Sequence, residues 1–238
     1  MHLSVIIPTL NEEYYIQGTL DALLEGMSDG ALCEIVVIDS GSNDKTLEYV
    51  KNRNVSFAQK PEFNGCKYKS LNYGASLAKG DVLLFLDADS FIGHDFDKEI
   101  NKVLKGNVVG GAFEYCSENR SISFLIVEAL NRVRYRVDKI YFGDQGIFCI
   151  KEAFDAVGGY PEESIMEAAY FCKKLRSIGK LKLIKVPLIT SSRRFEKGGI
   201  WKVFFKDTVI WIQFLLGWDI SRYARKYWKE NFVVDKKQ

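Results

Sequence analysis

Residues 81–90 read DVLLFLDADS, and this decapeptide decides the fold class. Val82 to Leu86 is an uninterrupted apolar run, bounded by Gly80-Asp81 before it and by acid after it. A short run without polar alternation reads as a strand buried on both faces. At its carboxyl end stand Asp87 and Asp89, separated by the small Ala88. Ligands of open α/β sheets bind outside the carboxyl ends of the strands. Two carboxylates placed there can hold a hard divalent cation, which in turn can hold a diphosphate. A plainer use is open as well, because Asp89 or Ser90 can cap a following helix.

Upstream, the same rhythm repeats. LSVIIPTLNEE carries the apolar run Val5 to Ile7, which stops at Pro8, and Thr9 and Asn11 are placed to cap the next helix. That helix is predicted from about 12 to 24, with Ile16, Leu20, Leu23 and Leu24 on one face. CEIVVIDSGSNDKT is a second buried strand ending in Asp39, then a Ser/Gly turn, with Asn43 or Asp44 opening a helix. Strand, turn, helix and strand in this order predict a right-handed parallel βαβ unit. A weaker strand at 55–58 and a helix in SLNYGASLAKG, closed by Gly80, make four strands by residue 90.

Downstream, 95–104 reads as helix, 108–115 as strand and 122–137 as a long amphipathic helix. YFGDQGIFCIKEAFDAVGGYPEES reads as loop, strand and short helix, 167–178 as a helix closed by Gly179, and 181–189 as a strand pair broken by Pro187. The C-terminal part changes character. IWKVFFKDTVIWIQFLLGW, residues 200–218, carries six aromatic side chains, with Lys202, Lys206 and Gln213 near one helical face and Arg222, Arg225, Lys226 and Lys229 after it. Such a helix suits a membrane interface. It equally suits packing on its own domain or on a second subunit, because periodicity does not say what covers an apolar face.

Bulk properties narrow the function classes. The chain has 238 residues, a formal net charge of +2, 47% hydrophobic and 27% charged residues, which fits one large folded domain with at most a small appendage. Balanced charge gives no footprint for nucleic acid. Cys33, Cys66, Cys116, Cys149 and Cys172 are odd in number and form no CxxC pair, which predicts neither a zinc site nor a disulfide framework and points to a reducing cytoplasm. His2 and His94 are the only histidines, so histidine catalysis is not expected. No charged-then-apolar leader is expected at the start, and no 18-residue apolar run is present to span a membrane.

SVIIPTLNEE, VVIDSGSNDKT, SLNYGASLAKGDVLLFLDADS, GDQGIF, GGYPEESIMEAAYFCKKL and SSRRFEKGGIW together resemble the family 2 glycosyltransferases of the GT-A fold. The resemblance runs in order over about residues 3–201 and is nearest in pattern to the small bacterial arsenosugar-type, radical-SAM- and selenodomain-associated branch. It implies a Rossmann-like mixed α/β sheet: a transferase domain over 1–198, divided into a nucleotide-binding half (1–90) and an acceptor half (91–198), with a helical extension over 199–238. It also implies a metal-dependent, inverting transfer from a nucleotide-diphosphate sugar, a UDP-sugar or alternatively a GDP-sugar, to an unidentified acceptor, lipid-linked or part of a cell-envelope glycan. Pro8, Thr9, Asn11 and Glu12 would line the nucleoside pocket. Asp39 would accept from the base edge beside Ser40, and Lys67 would face the nucleotide. Asp87 and Asp89 match the DxD pair, with Asp89 as direct ligand of Mg²⁺ or Mn²⁺ and Asp87 on ribose or metal-bound water. Arg193 and Arg194 would neutralise the departing diphosphate, and Gly143, Asp144 and Gln145 would form the acceptor edge. Work at the inner membrane face, or as a homodimer, is what the extension would add.

One residue departs from the pattern. The general base of the family is the Asp of a Glu-Asp pair opening the helix after GGYP, and here the pair is Glu167-Ala168. Alanine takes no proton. Either Glu167 serves as the base, or another acid such as Glu163 or Asp144 does, or turnover is crippled by the roughly 10²- to 10⁴-fold that a general base supplies. The last case would make the chain a nucleotide-sugar binding or scaffold protein. A nucleotidyltransferase, the third reading, would carry a glycine-rich basic loop after the first strand, and IIPTLNEE is not one.

Overall fold

The computed structural model describes residues 1–224. The first half supplies β1 (His2–Thr9), α1 (Ile16–Gly26), β2 (Leu32–Asp39), α2 (Thr46–Lys51), β3 (Ser56–Gln59), α3 (Lys67–Leu77) and β4 (Val82–Phe85). Next come β5 (Ser90–Ile92), α4 (Phe96–Val103), β6 (Val108–Ser117), α5 (Ile122–Asp138), β7 (Ile147–Ile150) and α6 (Lys151–Ala156). The chain then adds α7 (Glu167–Ile178), β8 (Lys180–Thr190), α8 (Arg193–Gly198) and α9 (Ile200–Leu215). One eight-stranded sheet runs β3-β2-β1-β4-β7-β6-β8-β5. Its first four strands are parallel. β7 is antiparallel to both β4 and β6, β8 is parallel to β6, and β5 is antiparallel to β8.

Alternation along β1 and β4 shows why these runs are apolar throughout. Leu3, Val5, Ile7, Val82, Leu84 and Leu86 face α1, α2 and α4, while Ile6, Leu83 and Phe85 face α3, α6 and α7. Helices therefore cover both faces of the sheet. All the parallel strands end on one edge, where Thr9, Asp39 and the Asp87–Asp89 turn come together.

Several elements differ from expectation in instructive ways. α1 begins at Ile16 rather than near 12, because Glu12 to Tyr15 form a separate turn, with the Tyr15 amide on the Glu12 carbonyl. Neither Thr9 nor Asn11 caps it: Thr9 Oγ1 donates to Asp39, and Asn11 Oδ1 accepts from the Asn43 amide. Leu24 is exposed, and the buried face is Ile16, Thr19, Leu20 and Leu23. Asp89 and Ser90 cap no helix, since Ser90 opens β5. α3 ends at Leu77 with Ala78 as its C-cap, and Gly80 is required instead by close approach, a Cβ there falling 2.6 Å from the His2 carbonyl oxygen. Pro187 does not split the last strand, because β8 is continuous and absorbs the proline in a bulge against β6.

The aromatic segment folds as α9, with Val203, Ile210 and Phe214 buried; Ile210 and Phe214 share the core that holds α6 and α7. No helix of the described residues is long and apolar enough to cross a membrane. Arg225, Lys226 and Lys229 lie outside the described residues.

Candidate functional site

A cleft of about 1540 Å³ opens along the carboxyl edge of the sheet and extends between α5, α8 and α9. Its floor is built by two strand ends. The loop after β1 is locked to the loop after β2: the Asn11 amide donates to Ser42 Oγ at 2.8 Å and the Glu12 amide to Thr46 Oγ1 at 2.7 Å. Asn11 adopts a φ of 55° to make this turn, a conformation asparagine tolerates better than most residues. Pro8, Thr9, Asn11, Glu12 and Ser40 all line the cleft.

Asp39 stands behind that wall. Fully buried, its Oδ1 accepts from Thr9 Oγ1 at 3.2 Å and Ser42 Oγ at 2.5 Å, and its Oδ2 from the amides of Gly41 and Ser42, both at 3.0 Å. Its two oxygens thus receive four donors, two hydroxyls and two amides. Its neighbour Ser40 exchanges a 2.9 Å bond with Ser70 at the cleft surface.

Asp87 and Asp89 both reach the cleft, each with a cation. Lys67, at the head of α3, donates to Asp87 Oδ1 at 2.5 Å. Gly143 lies against this pair, a Cβ there falling 3.0 Å from Lys67 Nζ and 3.6 Å from Asp87 Oδ2. Arg193, opening α8, grips Glu12 through both terminal nitrogens at 2.7 and 2.6 Å and reaches Asp89 Oδ2 at 3.1 Å. The guanidinium also lies 5.1 Å from the centre of the Tyr15 ring. Burial pushes the Asp89 carboxyl up to about 7 and raises Glu12 as well, in both cases against the pull of Arg193. Arg193 itself is held above its ordinary value by Glu12 and Asp89, although burial opposes this. The arrangement sets two carboxylates, Glu12 and Asp89, on the one guanidinium of Arg193.

The remaining expected residues divide. Gly143 and Asp144 line the cleft, and burial pushes the Asp144 carboxyl up to about 6. Gln145 is 1% exposed and points inward, accepting from the Phe142 amide and donating to the Phe113 carbonyl. Arg194 lines the cleft while donating to Asp207 of α9 at 2.6 and 2.8 Å. Glu167 and Ala168 both face the cleft beside Lys67 and Asp87, and burial raises the Glu167 carboxyl. Glu163 is not among the cleft-lining residues.

One cleft residue escaped sequence reading. Arg134 on α5 stacks on the Phe142 ring at 3.8 Å, and its Nε is buried without a hydrogen-bond partner. Only its position beside the apolar face of an amphipathic helix could have marked it.

The donor set suits a hard cation. Among the described residues no group of three or more His, Cys, Asp or Glu side chains could enclose a metal by itself. Mg²⁺ and Mn²⁺ commonly take one or two carboxylates plus phosphate oxygens, and Asp87 with Asp89 offer that much and no more.

Comparison with known proteins bears on the family and the fold. The sequence profile described as glycosyl transferase family 2 matches residues 4–153. An uncharacterized glycosyltransferase of Haemophilus influenzae is 32% identical over 123 residues, covering 48% of this chain and 48% of its own length. The chain thus spans about half of that relative. Among solved structures, TarS 1-349 of Staphylococcus aureus in complex with UDP-GlcNAc superposes with a TM-score of 0.64 at 20% identity, over 80% of this chain and 58% of that one. Mannosyltransferase PcManGT from Pyrobaculum calidifontis, in complex with GDP-Man and Mn²⁺, gives 0.67 at 22% identity, over 88% and 62%. These likenesses establish the GT-A fold.

Proposed function

Because the chain belongs to glycosyl transferase family 2, we propose that it moves a sugar from a nucleoside-diphosphate donor to an acceptor, with inversion at the anomeric carbon. The observation that carries this reading is the convergence of Asp87, Asp89, Lys67, Glu12 and Arg193 on one strand-end cleft. The nucleoside lies along Pro8, Thr9, Asn11 and Ser40, with a UDP- or GDP-sugar as donor. Asp39 shapes this wall by fixing the Gly41-Ser42 turn.

Asp89, assisted by Asp87, would hold Mg²⁺ or Mn²⁺, which would neutralise the diphosphate and stabilise the charge it gains on departure. Arg193 exchanges its carboxylate partners for diphosphate oxygens when donor enters, since guanidinium forks serve either anion. Lys67 holds Asp87 in place through its ion pair. For a hydroxyl acceptor, proton removal falls to Glu167, the carboxylate beside the sugar end of the cleft; Asp144 stands further along it. A lipid-linked acceptor at the inner membrane face accords with the exposed apolar surface of α9.

Ala168 favours a second reading, a chain that binds donor without turning it over. Both readings are tested by measuring binding and nucleoside-diphosphate release for a panel of UDP- and GDP-sugars with Mn²⁺, with chelator, and in Asp89→Asn. Metal-dependent binding lost in Asp89→Asn is expected. Binding indifferent to both changes would sink the assignment of the carboxylate pair. Donor binding with turnover only in Ala168→Asp would establish the binding-protein reading.

A further inference from the structure

Two apolar stripes lie side by side on the surface beyond the cleft. On α5, Ile122, Leu125, Ile126, Leu130 and Val133 are exposed at one-face helical spacing, and on α9 so are Trp201, Phe205, Val209, Ile212 and Leu216 just past its end. Phe124 near the start of α5 meets Phe195 of α8, which leads directly into α9, and Trp211 Nε1 donates to Asp138 Oδ2 near the ends of α9 and α5, so α5 and α9 run side by side in the same direction. Leu130 and Val133 line the cleft as well as the stripe. The apolar surface is therefore continuous with the cleft. Basic residues follow the border: Lys202 and Lys206 on α9, and Arg134 one turn after Leu130, all lining the cleft.

Arg134 is an unusual charge. The carboxylates around it are Asp144, Asp138 and Asp207. Asp138 is engaged by Trp211 and the Ile140 amide, Asp207 by Arg194, and among the described residues none forms a hydrogen bond with Arg134. A guanidinium half-withdrawn from water and stacked on Phe142, with a buried unpaired donor, leaves an anion's place open.

Building on the transferase reading, we propose that the acceptor is a lipid phosphate: its phosphate lies at Arg134, and its chain leaves over α5 and α9 into the bilayer. Ala168 then has a chemical reason. A phosphate monoester has its second pKa near 6, so at neutral pH its oxygen is already an anion and requires no general base. A lone pair of that oxygen forms the bond to the anomeric carbon as the bond from that carbon to the diphosphate oxygen breaks. The electron pair leaves on the diphosphate, and no proton is transferred. A second copy suits the stripes less well. An isologous dimer sets the same patch against itself and would bring Lys202 and Lys206 of both copies together, whereas a bilayer exposing phosphate complements them.

The test is flotation with phosphatidylcholine vesicles, with and without farnesyl phosphate, run beside donor binding and product formation. Native protein should float with the phosphate-bearing vesicles and glycosylate farnesyl phosphate, while inorganic phosphate should neither accept sugar nor compete. Phe205→Glu with Ile212→Glu, both exposed positions, should remain in solution with donor affinity unchanged. Arg134→Gln should weaken use of farnesyl phosphate about tenfold, and Arg134→Lys less so. Equal flotation on both vesicle types, none on either, or a stable dimer dissociated by Phe205→Glu would overturn the proposal, as would undiminished use of farnesyl phosphate by Arg134→Gln. A chain that binds no nucleotide-sugar fails the transferase reading, whereas one that binds donor but ignores the phosphate lipid fails this inference alone.

Discussion

Asp39 illustrates how a residue assigned by pattern acquires a different physical role. Its carboxylate receives two hydroxyls and two backbone amides from the ends of β1 and β2 and the turn that follows β2, so it organises this wall of the cleft from behind. Asp39→Asn replaces one acceptor oxygen with an amino group facing existing donors. Unpaired or opposed buried donors cost about 1–3 kcal/mol each, so urea unfolding should show a loss of about 2 kcal/mol. An unchanged unfolding midpoint with a loss confined to nucleotide affinity would return Asp39 to the base edge. Glu167 and Ala168 show the opposite case, where adjacent positions face one small space beside Asp87 and side-chain chemistry alone separates them.

Among the elements, β6 and β8 hold the second half of the sheet together. They pair in parallel from Val108–Lys180 to Ser117–Thr190, with a register shift at Phe113/Glu114. Gly111 permits this pairing: a Cβ there would overlap the Lys182 carbonyl oxygen and crowd the Phe148 ring. Gly111→Ala should therefore cost about 3 kcal/mol, the upper part of the overpacking range, and lower soluble yield and melting temperature together. A variant as stable as native protein would show that β8 shifts freely, contrary to its dense packing. The Arg194–Asp207 pair ties α8 to α9, which couples the arginine-bearing segment of the cleft to the helix carrying the apolar stripe.

Across the whole molecule, the cleft gathers carboxylates whose protonation the fold favours. Asp89 at about 7 and Asp144 at about 6 both lie above the unfolded value of 3.8, with burial as the main cause. A raised folded pKa means that the native state binds more protons, so this contribution to stability is present at low pH and is lost as pH rises from about 4 through 7. Asp89→Asn removes one such group. Relative to native protein, that variant should gain on the order of 2 kcal/mol between pH 5 and pH 8, measured by denaturant unfolding without metal. A constant difference across that range would mean that Arg193 keeps Asp89 ionised throughout.

Local sequence determined most of the first four strands and the edge at which they end. Apolar runs ending in Pro8, Asp39 and Asp87 specify buried parallel strands, and their polar ends mark one edge of the sheet, because burial and strand polarity are short-range properties. Helix boundaries were less legible where polar residues near a predicted cap found partners far away, as Asn11 did with Asn43. Only the tertiary structure decided what depends on distant contacts. It turned Asp39 and Gln145 inward, closed Arg193 onto Glu12 across a separation of 181 residues, and set α9 beside α5 so that Arg134 meets the cleft. A single chain pattern records which side chains are apolar or charged, but it does not record which surface will cover them. That choice is made when the sheet closes and the last helices pack.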